Sequence, residues 1–337
     1  MTLEGTRVQT LEVTGAPLLD AGQAAAFAAI FDNVVEAIGR ALVGKPDAIR
    51  LSLICLLSEG HLLLEDVPGT GKTTLAKSLA ATIHGTTSRI QFTPDLLPSD
   101  VTGVTIYDQS VGAFEFHPGP IFASIVLADE INRASPKTQS ALLEVMEESA
   151  VTVDGVTRPV GSPFMVIGTQ NPIEQAGTYR LPEAQLDRFL LRTGIGHPDT
   201  DAALAILGAV GTRAGRVQVE AMLSPAQVTE LIGQAARVYV DPSILRYITA
   251  LVEATRSASG VSLGVSQRGA IALLRTGKTL AASRGRHYVL PDDIKVLAEA
   301  VLAHRISIMP EAEFNGLTAT EVVTTVLRSV PPPRSSN

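Results

Sequence analysis

Hydrophobic residues follow two different spacings along this chain. Near its start, apolar residues recur at three- and four-residue steps over 21–42, which predicts a helix, and a second helix is expected over 47–58. From residue 61 onward, short apolar runs alternate with helical patterns, which is typical of a parallel sheet with helices on both faces. The predicted strands are 61–64, 89–92, 125–128, 164–168 and 189–193, with helices over 72–84 and 136–149 between them.

Two stretches interrupt this alternation. Residues 102–116 contain two strand-like runs around a turn at 108–112. Residues 150–160 contain two short runs around Asp154-Gly155, which is a strong hairpin signal. We therefore expect two β-hairpins inserted into the α/β region.

Helical spacing dominates after about residue 198, where the strand signals fade. Helices are expected over 199–210, 224–238, 241–255, 266–283 and 291–304. The change predicts an α/β domain over residues 21–198 and an all-helical domain over 199–330. Residues 1–20 lack periodicity and are expected to form a flexible arm, and residues 331–337 a disordered tail.

The charge balance argues against a general nucleic-acid binder. The 337 residues include 27 basic and 34 acidic side chains and only 4% aromatic residues, for a net charge of −7. The single cysteine, Cys55, lies in an apolar stretch and is expected to be an inert buried thiol in a reducing compartment. No uncharged run is long enough to span a bilayer, and no signal-peptide pattern is found. These features predict a cytoplasmic protein without a membrane span.

The strongest local signal follows the first predicted strand. Residues 65–74, EDVPGTGKTT, match the end of the phosphate-loop template G-x-x-x-x-G-K-[ST], with Asp66 in place of its first glycine. Glycines allow turns that aim backbone N–H groups at phosphate oxygens, and the following helix adds its positive end. Lys72 is expected to reach the β- and γ-phosphates, and Thr73 to bind Mg²⁺. The alternative is a chance Gly-rich turn before a helix. The candidate binding residues are Pro68, Gly69, Thr70, Gly71, Lys72, Thr73 and Thr74.

Two acidic residues end the third predicted strand. Asp129 and Glu130 follow the apolar run 125–128. Ligands bind at the carboxyl ends of parallel strands, so Asp129 is placed to hold Mg²⁺ and Glu130 to orient or deprotonate an attacking water. The alternative is that both acids cap the next helix. Their position some 55 residues after a phosphate loop favours the metal and water site.

These motifs together resemble the AAA+ ATPases and, within them, the MoxR family. The resemblance is close over 43–198 and looser afterwards. It rests on GPIFASIVLADEINRASPKTQSALLEVMEE at 119–148, GTQNPIEQAGTY at 168–179 and LPEAQLDRF at 181–189. Such long strings are far more specific than a lone phosphate loop. The resemblance implies an AAA+ core of parallel sheet and helices with β-hairpin inserts, followed by a helical lid.

The resemblance also assigns roles to polar residues outside the phosphate loop. Asn171 matches the sensor-1 residue that positions the hydrolytic water. Arg188 matches the arginine finger, which reaches the active site of the neighbouring subunit; its alternative is a surface salt bridge, for which Asp187 is adjacent. A guanidinium there neutralises charge that grows in the phosphoryl transition state. Arg268 matches the sensor-2 arginine, through which movement of the lid is coupled to hydrolysis.

Three residues depart from the family pattern. Gln267 and Arg180 stand where proline is usual, and Gly269 where alanine is common.

Val43 and Gly44 match the region that contacts adenine, although a simple helix-breaking turn would look the same. The two hairpins match inserts that face the ring pore or the client in related ATPases, with surface decoration as the alternative.

The resemblance therefore implies a catalyst of ATP hydrolysis that uses ATP and Mg²⁺. It would form a homo-oligomeric ring, of six subunits in the usual case, and remodel or mature protein partners, including proteins with von Willebrand factor A domains. A nucleic-acid motor related to helicases is the alternative, which the acidic balance disfavours. The intact motifs disfavour a scaffold without turnover. A small-molecule kinase is disfavoured because the helical domain shows no acceptor pocket.

Overall fold

The computed structural model describes residues 17–110, 112–171, 179, 181–210 and 219–333. Two helices precede the sheet, α1 (Ala21–Ala41) and α2 (Pro46–Leu57). Asp20 begins α1 with a capping box, in which its side chain accepts from Gln23 N and the Gln23 side chain accepts from Asp20 N. Most of the expected N-terminal arm lies outside the described residues. At its end, however, Leu19 is only 2% exposed, and its N–H donates to the carbonyl of Arg237.

A five-stranded parallel sheet forms the centre of the α/β region, in the order β2-β5-β8-β1-β9. Leu62 and Leu64 of β1 point into one hydrophobic cluster and Leu63 into the other, so this strand is buried on both faces. The five strands of this sheet are β1 (Leu62–Glu65), β2 (Thr87–Gln91), β5 (Ile125–Asp129), β8 (Met165–Gln170) and β9 (Leu191–Thr193).

Helices and two hairpins surround this sheet. The two expected hairpins are present as separate antiparallel pairs. The first hairpin comprises β3 (Gly103–Asp108) and β4 (Ala113–Pro118), and the second β6 (Ala150–Val153) and β7 (Val156–Pro159). The helices of this region are α3 (Lys72–Thr82), α4 (Pro98–Thr102), α5 (Pro136–Glu148) and α6 (Glu183–Leu186), with a 3₁₀ turn at Ile131–Arg133.

The C-terminal region is helical, as the spacing predicts. Its helices are α7 (Thr200–Val210), α8 (Pro225–Ala236), α9 (Pro242–Arg256), α10 (Gln267–Ser283), α11 (Pro291–Leu302), α12 (Pro310–Phe314) and α13 (Ala319–Ser329). A 3₁₀ turn, Ala303–Arg305, follows α11, and a short antiparallel pair joins β10 (Val261–Leu263) to β11 (Ser307–Ile308). Within the described residues, no helix is both long and apolar enough to cross a membrane.

Helix α13 is missing from the sequence predictions, and its composition explains why. Its central residues are mostly β-branched, including Val322 and Val323, and such side chains favour strands. The helix nevertheless begins at a capping box formed by Thr318 and Glu321. Val322, Val323 and Val326 are buried. Tertiary packing of one apolar face therefore outweighs the local preference.

Candidate nucleotide site

The phosphate loop lies at the carboxyl end of β1, directly before α3. Gly69 and Gly71 adopt positive φ angles of 88° and 102°, which side chains disfavour, so glycine is needed at both turns. Lys72 is the first residue of α3, and its buried amine donates to the carbonyl of Asp66 at 3.2 Å. Thr70 is also buried, whereas Pro68, Gly69 and Thr74 are exposed at the mouth of the loop. The loop thus presents a curled backbone and one cation at a helix N-terminus.

Asp66, which replaces the first glycine of the template, has a structural partner that the sequence did not reveal. Its carboxylate accepts from the backbone N–H of Ile195 and, at 3.0 Å, from that of Gly196. Asp66 is 7% exposed, so these are buried hydrogen bonds to a charged group. They fasten the phosphate loop to the segment that leaves β9 towards α7.

The turn at Val43-Gly44 lies beside the same segment. Gly44 has a φ of 75°, and a Cβ there would approach Ala202 and Asp199 at the start of α7. Lys45 Nζ donates to the carbonyl of His197 at 2.5 Å. The turn after α1, the phosphate loop and the start of α7 are therefore neighbours, as expected for a site that holds a base next to phosphates.

Asp129 and Glu130 lie at the carboxyl end of β5. Asp129 accepts from Thr169 Oγ1 at 2.6 Å and forms an ion pair with Arg89 at 2.6 Å. The Glu130 carboxylate accepts from Gln91 Nε2 at 2.9 Å and lies 3.2 Å from Arg133 Nε. Glu130 has a left-handed φ of 57° at the start of the 3₁₀ turn Ile131–Arg133, but its side chain makes no capping hydrogen bond there, and Ser135 caps α5. The alternative that these acids only cap the following helix is therefore disfavoured.

Asn171 directly follows β8, the sheet neighbour of both β1 and β5. The three strands are parallel, so Lys72, Asp129, Glu130 and Asn171 all lie at one edge of the sheet, which we call the phosphate edge. Arg180 lies outside the described residues.

The residues at the phosphate edge fit a nucleotide and a magnesium ion. Gly71 has no side chain to cap α3, so the N–H groups of its first turn are available to an anion. Lys72 adds a cation to these donors. The oxygen donors of Thr73 and Asp129 are those that Mg²⁺ prefers.

Arg188 and Arg268 lie at the opposite edge of the sheet, which we call the arginine edge. Arg188 is 3.0 Å from one carboxylate oxygen of Glu147, and Arg268 pairs with the other oxygen. They line a surface cleft of about 550 Å³ together with Gly60 and His61, which precede β1, and Phe164, which precedes β8. The alternative to the finger is a surface salt bridge, with Asp187 as the neighbouring acid; in the structure Arg188 pairs with Glu147, and Asp187 pairs with Arg305.

The buried side chain of His61 connects two elements at this edge by hydrogen bonds. Its Nδ1 accepts from Val166 N at 3.0 Å, and Nε2 lies 2.9 Å from the carbonyl of Met146, beside Glu147. Burial lowers the pKa of His61 to about 4, although the hydrogen bond to Met146 opposes the shift. The neutral imidazole therefore joins β8 to the last turn of α5.

Two family models match the chain. The model described as ATPase family associated with various cellular activities (AAA) matches residues 61–191, and the AAA lid domain matches residues 253–326. The Chaperone MoxR1 of Mycobacterium tuberculosis is 39% identical over 90% of this chain and 82% of its own length. The chain belongs to the MoxR family of AAA+ ATPases.

Two further proteins are also similar over nearly the whole chain. The uncharacterised protein YeaC of Bacillus subtilis is 49% identical to this MoxR-family chain over 90% of it and 95% of its own length. The crystal structure of a presumed ATPase from Cytophaga hutchinsonii superposes with a TM-score of 0.87 at 40% identity, covering 93% of this chain and 98% of that one. The AAA+ fold, an α/β core followed by a helical lid region, agrees with these likenesses.

Proposed function

We propose that this MoxR-family protein hydrolyses ATP in a magnesium-dependent reaction, at sites completed by a neighbouring subunit of a ring. The observation that carries the proposal is the separation of the candidate residues between two edges of one sheet. Strands of four to six residues, at about 3.3 Å per residue, span about 13–20 Å. Arg188 and Arg268 therefore lie about one strand length from the phosphate loop of their own subunit.

At the phosphate edge, the chain binds the nucleotide and orients the attacking water. Lys72 and the N–H groups of α3 hold the phosphates. Thr73 and Asp129 are the residues that would hold Mg²⁺, which when bound neutralises developing charge on the phosphate oxygens. Glu130 orients the attacking water and accepts its proton, and Asn171 helps to fix that water near the γ-phosphate. Val43 and Gly44 border the base.

At the arginine edge, the chain supplies positive charge to the next subunit. Arg188 is the proposed finger, and Arg268 lies beside it on the same carboxylate. Glu147 holds the two guanidinium groups together in the free subunit. A nucleotide on the neighbour would compete with Glu147 for both of them, since phosphate oxygens bind guanidinium groups strongly. In this arrangement a second copy of the chain, in a ring that is hexameric as in related ATPases, is needed for turnover.

The hairpins are the proposed contact surface for a protein client. The first hairpin exposes Phe114 and Tyr107, which are 76% and 52% exposed and whose rings pack edge to face on one another; a contiguous exposed apolar patch marks a candidate contact surface. The relative MoxR1 is named a chaperone, which supports remodelling of proteins, with von Willebrand factor A domain proteins as candidate clients. Capture by the Glu130→Gln protein in ATP should retain the client, and Phe114→Asp in that background should release it.

Mixing two inactive variants tests the shared site. Lys72→Ala should lose nucleotide binding but keep its arginines, and Arg188→Ala should bind ATP but not hydrolyse it. An equimolar mixture should recover part of the ATPase activity, because an intact phosphate edge then meets an intact arginine edge. Each variant alone is the control, and subunit exchange is verified by fluorescence energy transfer. No recovery in well-mixed oligomers would contradict a finger that acts on the neighbouring subunit.

A further inference from the structure

A buried arginine of the helical region holds the segment that bears Arg188. Arg305, in the 3₁₀ turn after α11, has a side chain only 2% exposed. Its Nε donates to Asp187 Oδ1 at 2.8 Å, and its two terminal nitrogens donate to the carbonyls of Phe189 at 2.5 Å and Leu190 at 3.3 Å. One guanidinium therefore fixes the residues on both sides of Arg188, a task that suits its planar fork.

Asp187 connects the same segment to the helix that bears Arg268. Its second carboxylate oxygen accepts from Ser266 Oγ at 2.8 Å. Ser266 is the N-cap of α10, and its hydroxyl oxygen also accepts from the N–H of Arg268 at 3.1 Å. The Asp187 carboxylate thus lies between Arg305 and the first turn of α10, and it links the backbones that carry both interface arginines.

Gly269 makes this close approach feasible. A Cβ at this position would collide with Val265 Cγ1 and lie 2.9 Å from Arg305 Cδ. The departure of Gly269 from the alanine common in the family therefore has a local reason in this chain. The small residue lets the first turn of α10 pack directly against the buried arginine.

The charge of Arg305 makes the arrangement rigid. Burial lowers the pKa of the Arg305 guanidinium, and the Asp187 carboxylate opposes that shift. Burial also lowers the pKa of the adjacent His304, and the charge of Arg305 lowers it further, so the imidazole stays neutral. A buried cation is costly unless it is paired and fully hydrogen-bonded; the Asp187–Leu190 segment supplies the carboxylate and three carbonyls, and the Val301 carbonyl supplies a further acceptor. Displacing the segment would separate the buried guanidinium from its carboxylate partner.

We propose that Arg305 and Asp187 are positioning residues that aim Arg188 and Arg268 at the neighbouring subunit's nucleotide. The inference rests on the proposed function, in which these arginines act on the next subunit. It adds that the helical region sets the geometry of the finger through Arg305, so that a shift of this region moves both interface arginines together.

The test variant is Arg305→Lys, which keeps the charge but removes the fork. We expect kcat for ATP hydrolysis to fall by at least about tenfold, because small misplacements of a catalytic group are costly, while KM and nucleotide affinity stay within about twofold. The matched control is Arg286→Lys, which alters the ion pair with buried Asp293 elsewhere in the helical region and does not contact residues 187–190. Thermal unfolding of both variants measures the stability cost, and the control is expected to keep its kcat.

Mixed oligomers separate positioning from damage to the variant's own nucleotide site. Arg305→Lys mixed with Lys72→Ala should recover activity, since Lys72→Ala supplies intact fingers. Arg305→Lys mixed with Arg188→Ala should not, since neither subunit then supplies one. The reverse pattern, or an unchanged kcat in folded Arg305→Lys, would overturn the proposal. Failure of the Lys72→Ala and Arg188→Ala pair to complement would instead remove the proposed function itself.

Ser266→Gly provides a second variant that leaves the buried charges intact. Glycine is tolerated at an N-cap with little loss of helix stability, so this change mainly removes the hydroxyl that links Asp187 to α10. We expect a decrease in kcat of about two- to fivefold, with the same recovery on mixing with Lys72→Ala. If Arg305→Lys does not fold, an unchanged kcat in Ser266→Gly would overturn the link between the two arginines.

Discussion

The two edges of the central sheet differ in how their chemistry is assembled. The phosphate edge is built from contiguous motifs at the ends of neighbouring strands, and Lys72 and Asp129 already have partners within the subunit. At the arginine edge, two guanidinium groups from distant parts of the chain share the single carboxylate of Glu147. In the proposed function, the first edge binds the nucleotide within one subunit, whereas the second acquires its catalytic role only beside another subunit.

Among the four predictions that follow, the largest expected effect is at the phosphate edge. Glu130→Gln should retain ATP binding and lower hydrolysis by about 10²–10³-fold, because the amide cannot accept the proton of the attacking water. Single-turnover hydrolysis and a nucleotide-binding titration measure the two steps separately. Glu144→Gln, on the exposed face of α5, is the control. Full turnover in Glu130→Gln would remove its assigned role.

A smaller effect is expected from Arg268 at the arginine edge. Arg268→Ala should lower kcat by about tenfold, less than the loss of the finger, which is worth about 10³-fold or more. Its side chain is 53% exposed against 29% for Arg188, which is consistent with a supporting position. Steady-state kinetics with Arg40→Ala, an exposed arginine on α1, as control would measure the difference. An effect of Arg268→Ala on ATP affinity rather than on kcat would argue that it acts on its own subunit.

Acid should destabilise the protein through His61 at the arginine edge. The pKa of His61 is lowered from about 6.5 to about 4 on folding, so the unfolded chain takes up this proton first. The contribution of the neutral His61 to the unfolding free energy is fully present above about pH 6.5 and is lost as the pH falls towards 4. Between pH 7 and 5 this histidine alone should cost about 2 kcal/mol of unfolding free energy.

Urea unfolding at the two pH values tests this expectation. His61→Gln should lose less stability than the wild-type protein over this range, because the titrating group is gone. His117→Gln, which alters an exposed histidine of the first hairpin, should behave as the wild type does. Equal losses in all three proteins would show that His61 is not held neutral.

The smallest effect concerns Asp66 at the phosphate edge. Asp66→Gly restores the glycine of the phosphate-loop template, yet it should lower the unfolding free energy by about 1–2 kcal/mol, because the N–H groups of Ile195 and Gly196 lose a buried, charged acceptor. The unfolding free energy of Asp66→Asn, which keeps one acceptor oxygen, should lie between those of the wild-type protein and Asp66→Gly. Urea unfolding measures the order of stability of the three proteins. A glycine variant more stable than the wild-type protein would contradict the structural role of Asp66.

The phosphate edge could be predicted from the sequence because local order specifies it. Lys72 and Thr73 follow a strand and a Gly-rich turn, and Asp129 and Glu130 end an apolar run. The neighbouring residues in the sequence are therefore enough to identify each motif. The contacts of Arg89 and Gln91 with these acids could not be predicted. They depend on β2 lying next to β5, and the strand order is set by long-range packing.

The sequence by itself determined the alternation of strands and helices, the two hairpins, the phosphate loop and the family resemblance. These follow from residue spacing and from contiguous motifs, in which the chemistry and its backbone support are neighbours in the chain. Only the tertiary structure decided that Arg188 and Arg268 share Glu147, that Asp66 ties the phosphate loop to Gly196, and that buried Arg305 holds the segment around Arg188. Each of these contacts joins residues at least 40 positions apart, so local spacing does not specify it, and only for Arg305 and Asp187 does burial require that the charge be paired.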